Sequence, residues 1–269
     1  MIRLLPLLAL ALAGCGEGAR GPVEAAGPTI VSLNPCTDAI LAEVAAPGQL
    51  LAISHYSKDP SSSSMTPQDA ARYRATGGTV EEVLALDPDV VVASTFLAPA
   101  TRAALEDLGL RVVTFGGTAT VEDSLAQVRE LATLAGDPAA GERLVEEIEA
   151  ALLEAEGQGE PVEAALWQPG GIVPGEASLV SDLLRRTGFS SYATARGMAQ
   201  ADYLSLEQVV ADPPQVLFVA GSETGQRHPV LAGVEGMRQE RFDTRLLYCG
   251  GPTILRAVRF LQLGRERAS

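Results

Sequence analysis

From Thr29 onward, short β-branched apolar runs alternate with segments whose apolar residues recur every three or four positions. The runs predict strands at Thr29–Leu33, Leu50–Ser54, Asp89–Ser94 and Arg111–Phe115, with helices at Thr37–Ala45, Thr79–Leu86 and Pro99–Leu108 between them. The texture then changes. Val121–Ala135 and Pro138–Glu156 read as almost continuous helix, broken only at Gly136-Asp137, with Leu125, Val128, Leu131, Ala132 and Ala135 forming one apolar face. After Gly157–Pro161 the alternation resumes, with strands at Val162–Trp167, Gln215–Ala220 and Thr244–Tyr248 and helices at Ser178–Thr187, Ser205–Ala211 and Thr253–Leu263. The fold expected is α/β: two α/β lobes, residues 29–118 and 158–269, joined by a long backbone helix region at 119–157, with a ligand cleft between them.

The chain also echoes itself. TVEEVLALDPDV, from Thr79, lies 126 residues before SLEQVVADPPQV, from Ser205. Each copy has a hydroxyl residue at the N-cap, an acid in the first turn, a proline that stops the helix, and a buried strand after it. The echo implies two related lobes and puts Glu81 and Glu207 at matching outer positions. Taken alone, both glutamates are helix N-terminal acids.

The N-terminus has a different texture. Arg3 precedes an apolar run from Leu4 to Leu12, which is too short for a bilayer, where about 20 residues are needed. It suits a secretory signal over residues 1–14. The small residues before Cys15 resemble a bacterial lipobox, with Cys15 the lipidated residue. Residues 15–28, rich in Gly, Ala and Pro, read as a flexible tether. This arrangement predicts a periplasmic protein held at a membrane by lipid through Cys15 alone.

Composition narrows the function. With 20 Lys+Arg against 34 Asp+Glu, the formal charge is −14, and losing Arg3 with the signal makes it one unit more negative. Such a chain is no nucleic-acid binder, which would need a basic face. Two histidines exclude a histidine-rich cage for bare zinc or manganese. Cys36, His55 and Asp59 can be drawn as a nucleophile, base and orienter, the alternative of a cysteine-dependent exported enzyme. No Gly-x-Ser-x-Gly, phosphate loop or His-Glu-x-x-His supports that drawing.

Lipobox, tether, lobe, helical strut and second lobe together resemble the helical-backbone class of substrate-binding proteins of ABC importers, which capture vitamin B12, ferric siderophores and haem. The resemblance is carried by IVSLNPCTDAILAEV, TVEEVLALDPDVVVAS, the strut TVEDSLAQVRELATLAGDPAAGERLVEEI, and YLSLEQVVADPPQVLFVAG. It implies that Glu81 and Glu207 dock into arginine pockets of the permease, which works with ATPase subunits. It also implies a monomer with no cofactor of its own, whose cargo is a metal chelate.

In such two-lobed proteins the ligand lies outside the carboxyl ends of the strands. That rule nominates Asn34, Cys36, His55, Tyr56, Phe96, Trp167, Arg196 and Tyr248. Aromatic walls from Tyr56, Phe96, Trp167 and Tyr248 suit a flat chelate, although each is equally at home in a core. Arg196 can pair with a carboxylate or phosphate, or be a solvated surface residue. His55 reads as an axial ligand or a plain hydrogen-bonding residue. Cys36 and Cys249 are either a disulfide restricting lobe motion or a thiol pair near the ligand. The acidic charge favours cobalamin over an anionic siderophore, with haem third.

Overall fold

The computed structural model describes residues 27–247 and 249–268. The signal, Cys15, most of the tether, and Tyr248 lie outside the described residues.

The first lobe is a five-stranded sheet built from β1 (Ile30–Ser32), β2 (Leu50–Ser54), β3 (Ala75–Thr76), β4 (Val90–Ser94) and β5 (Arg111–Phe115). Its spatial order is β3-β2-β1-β4-β5 and every pairing is parallel. Parallel neighbours need crossovers, and helices supply them: α1 (Pro35–Val44), α2 (Pro67–Ala71), α3 (Val80–Leu84) and α4 (Pro99–Asp107). The second lobe has β6 (Val162–Trp167), β7 (Phe189–Ser191), β8 (Val216–Val219) and β9 (Arg238–Arg241), in the order β7-β6-β8-β9, again all parallel. Its helices are α7 (Leu179–Arg186), α8 (Tyr192–Ala195) and α9 (Leu206–Ala211).

Between the lobes run α5 (Val121–Ala135) and α6 (Pro138–Glu154). Thr120 and Asp123 form a capping box that starts α5, and Gly136, at φ 86°, ends it. Asp137 then caps α6 with Pro138 in its first turn, so the chain reverses within two residues. The backbone helix α5 does cross between lobes. Val121 N–H, at its start, donates to Asp182 of α7 at 2.9 Å, and the Ala135 carbonyl, at its end, accepts from Gln49 at 2.6 Å. α6 returns alongside it, so the strut is a hairpin.

A third crossing comes from α10 (Thr253–Ala268). Its head abuts the first lobe: an added Cβ on Gly251 would lie 2.5 Å from Ile40, and Gly251 N–H donates to Ser124 of α5 at 2.7 Å. Its tail lies on the second lobe, where Gly264 sits against Phe218 and Arg265 donates to the carbonyls of Gly188 and Glu160. One continuous core therefore runs from Ile30, Ile53 and Val92 through Leu131, Ile148 and Ile254 to Leu166 and Phe218. Two smaller clusters line the outer faces, one around Val83 and Leu105 and one around Val209 and Leu217. Each fully buried aliphatic side chain of this kind contributes about 1.5–3 kcal/mol.

One sequence expectation needs correction, and one strand was not expected. Thr244–Tyr248 was expected as a strand, but Thr244–Leu246 is a single 3₁₀ turn with Leu246 buried. The last strand is the charged Arg238–Arg241, held at the sheet edge by backbone pairing to β8 alone.

Candidate functional site

The loops that leave the strand carboxyl ends meet between the lobes. A cavity of about 340 Å³ is lined by Gly117, Thr118 and Ala119 beyond β5, by Gln168 beyond β6, and by Ser178 at the head of α7. Two-lobed α/β proteins hold ligands in this place.

The first-lobe mouth is built on α1. The Asn34 carboxamide caps that helix, accepting from Cys36 N–H at 3.0 Å, and Pro35 occupies its first turn. Cys36 is bridged to Cys249, with Cα atoms 5.0 Å apart across 213 residues of sequence. Of the two readings of this pair the structure supports the bridge, and a bridged Cys36 offers no nucleophile. Asp38, one turn further on, is fully buried. Its Oδ2 accepts from Ser54 N–H at 2.9 Å and from Ser57 Oγ at 2.6 Å. Its Oδ1 has no partner. Burial pushes this carboxyl up to about 7, against smaller lowering effects of Ser32, Ser57 and Ser54.

Between Ser54 and Ser57 stand His55 and Tyr56, on the 3₁₀ turn that follows β2. Both are exposed, Tyr56 to 54%, and their ring centroids are 4.0 Å apart. Phe96, beyond β4, is 90% exposed.

On the second lobe, Trp167 is corrected: it is 3% exposed, packed in the outer cluster, and its indole N–H donates to the Leu204 carbonyl at 2.8 Å. As the last residue of β6 it turns inward and cannot be a wall of the mouth. Arg196 is corrected as well. Its guanidinium lies 3.4 Å from the Tyr192 ring and pairs with Glu163 and Asp212, which precede the bulk of β6 and β8, so it stands at the amino ends of the strands. Those bonds, with Asp212 foremost, raise the arginine, and they hold Asp212 below the usual carboxylate range. An exposed aromatic group on this lobe that the sequence reading missed is Tyr203, 64% exposed and paired by a β-bridge to Ile172 in the loop after β6. It lies just before the second copy of the echo, at a position the first copy fills with Gly77, so the repeat gave no signal for it.

Gln226, almost wholly buried, donates to the carbonyls of Trp167 and Gln168 at 3.0 Å and so ties the loops after β6 and β8 together. Beside it, Arg245 grips Asp243, whose carboxyl is held below its ordinary range chiefly by that bond.

Glu81 and Glu207 occupy the second position of α3 and of α9 and are exposed. Thr79 and Ser205 cap the two helices in the same way, accepting from Glu82 N–H at 3.3 Å and Gln208 N–H at 3.2 Å. The neighbouring Glu82 is tied down by Thr76 and Gly77 N–H, which keep its carboxyl below the usual range. Among the described residues, no helix is long and apolar enough to cross a membrane.

Comparison with known proteins agrees with this architecture. The family model described as "Periplasmic binding protein" matches residues 30–245. No curated protein matches the sequence. Among solved structures, the apo periplasmic haem-binding protein RhuT from Roseiflexus sp. RS-1 is similar with a TM-score of 0.71 and 20% identity, covering 90% of this chain and 99% of that one. The haem-binding protein HutB of Vibrio cholerae gives a TM-score of 0.72 and 17% identity over 87% of this chain and 97% of its own. The vitamin B12-binding protein BtuF of Vibrio cholerae gives 0.64 and 20% over 89% and 97%.

Proposed function

We propose that this chain, which belongs to the periplasmic binding protein family, captures a metal chelate between its lobes and delivers it to the permease of an ABC importer. Cobalamin is the first reading of the chelate. The family consists of binding proteins rather than enzymes, and the chelate is cargo, not a cofactor.

One observation carries the reading. Among the described residues the exposed aromatic side chains other than His55 and His228 are Tyr56, Phe96 and Tyr203, and all three lie beyond strand carboxyl ends. Exposed aromatic surface on both lobes at strand carboxyl ends suits a flat macrocycle that would cover it. The net charge of −14 opposes anionic chelates and leaves cobalamin, with little net charge, unpenalised. Haem is a second reading, favoured by the exposed imidazole of His55 and phenol of Tyr56, side-chain types that serve as axial donors to haem iron.

Glu81 and Glu207 are proposed as the permease anchors, one per lobe, because charge-assisted pairing with arginine fixes orientation and register. Cys15 is proposed as the lipid-bearing residue that keeps the protein at the membrane.

Purified lipid-free protein should be titrated with cyanocobalamin, hemin and a ferric siderophore, following visible absorbance. Saturable one-to-one binding of cyanocobalamin supports the first reading. A hemin spectrum altered by His55→Ala or Tyr56→Ala supports the second, and failure of all three chelates to bind overturns both.

A further inference from the structure

The geometry points to Asp38 as the positioning residue of the first-lobe mouth: its carboxylate grips both ends of the turn that presents His55 and Tyr56. This inference deepens the chelate-binding reading and rests on it for its consequence, although the grip itself is a property of the unliganded protein.

Asp38 sits in the opening turn of α1, between the disulfide at Cys36 and the core residue Ile40. It does not touch the mouth. One oxygen takes the N–H of Ser54 and the hydroxyl of Ser57, the residues on either side of the exposed pair. The turn has few other ties. Tyr56 N–H reaches Ser54 Oγ at 3.3 Å, and the Lys58 ammonium, past its far end, bonds the carbonyls of Ala70 and Tyr73. A fully buried carboxyl is costly to ionise, and an apolar residue would fill this space without that cost. The two bonds to the turn supply what an apolar residue could not.

The carboxyl is also set to change state near neutrality, which makes the grip adjustable. The elements packed against it bring Ser32 from β1, Ser54 from β2 and Ser57 from the turn. The titratable side chains on those elements are His55, Tyr56 and Lys58 of the turn and Glu43 further along α1. On α5 and α6, which also flank α1, Glu147 acts on Glu43, while burial and the three serines are what act on Asp38. No cation pairs with Asp38 among the described residues. Ionised, it makes charge-assisted bonds about twice as strong as those it makes when neutral. The turn is therefore held more firmly above neutrality than below it.

The test begins without ligand. Hydrogen exchange on the unliganded protein, corrected for intrinsic rate, should show the protection of Ser54 N–H and the turn rising about fivefold between pH 6 and pH 8. Asp38→Asn should remove that rise, and Ser57→Ala should weaken protection of the turn while leaving the rise at Ser54. Unchanged protection in both variants, or no pH response in the wild type, overturns the positioning role. Affinity for whichever of cyanocobalamin or hemin binds should then follow the same pH profile in the wild type and flatten in Asp38→Asn. If the exchange pattern is as described and neither chelate binds, the chelate reading fails and the positioning role stands. If a chelate binds with an affinity indifferent to pH in both proteins, the turn does not set affinity and the inference is overturned.

Discussion

Superimposing the connections of the two lobes sets β2-β1-β4-β5 against β7-β6-β8-β9. In each, the first strand leads to a helix whose fourth residue is a buried aspartate: Asp38 in α1 and Asp182 in α7. The two have opposite surroundings. Asp182 is ringed by Arg185, Arg186 and the N–H of Val121, and so fastens the second lobe to the start of the strut. Asp38 has only neutral donors and an oxygen with none. A shared scaffold thus uses the same residue as a structural rivet on one side and as the support of the exposed His55–Tyr56 turn on the other. What surrounds a side chain, more than its place in a fold, decides what it does.

The docking role would test that twofold design most severely. Glu81→Ala with Glu207→Ala should abolish uptake of the chelate in cells while leaving affinity of the purified protein unchanged. If either single variant alone abolishes uptake and the other has no effect, docking is one-sided and the equivalence of α3 and α9 ends at their shape.

Next in size is the link between the lobes. Cys36→Ser should lower stability by about 2–5 kcal/mol, read from the denaturant midpoint. Because the core is continuous, unfolding should remain one transition; separate transitions for the lobes would show that the bridge alone unites them.

The aspartates sharpen the contrast through pH. The carboxyl of Asp38 is raised from its unfolded value of 3.8 to about 7. The stability it contributes is therefore complete below pH 3.8 and is lost as pH rises towards 7, by about 2–4 kcal/mol. Denaturation of Asp38→Asn across that window should lack this decline. Asp182→Asn breaks bonds to two arginines and should cost about 1–3 kcal/mol at neutral pH.

The smallest effects expected are at the mouth. Phe96→Ala and Tyr203→Ala should each weaken chelate binding by about tenfold, roughly the contribution of one aromatic contact. A loss confined to Phe96→Ala would place the ligand on the first lobe alone.

Much of the fold was legible because buried parallel strands are apolar throughout. Leu50–Ser54, Val90–Ser94 and Val162–Trp167 carry their burial in their composition, and the caps at Thr79, Thr120 and Ser205 mark where helices begin. β9 was not legible, since an edge strand needs only backbone pairing and its Arg-Gln-Glu-Arg reads as loop. The apolar Leu246 drew the strand assignment to the turn beside it. For the site, strand ends located the loops but not the direction of each side chain. Trp167 turned inward, Arg196 lay at the opposite end of the sheet, and Tyr203 came from a segment distant in sequence from the loop it bridges. Asp38 passed unnoticed because an aspartate in the first turn of a helix is ordinarily a solvated one.

The course of the final helix constrains the order in which the molecule can be assembled. Its head lies against the first lobe, and Cys36 must wait for a partner 213 residues downstream. Until the last twenty or so residues emerge, the amino-terminal half has an open seam where Ile40 and Ser124 will be covered. The oxidised bond thus reports that synthesis has passed Cys249, and it is absent from any chain that stops before that residue.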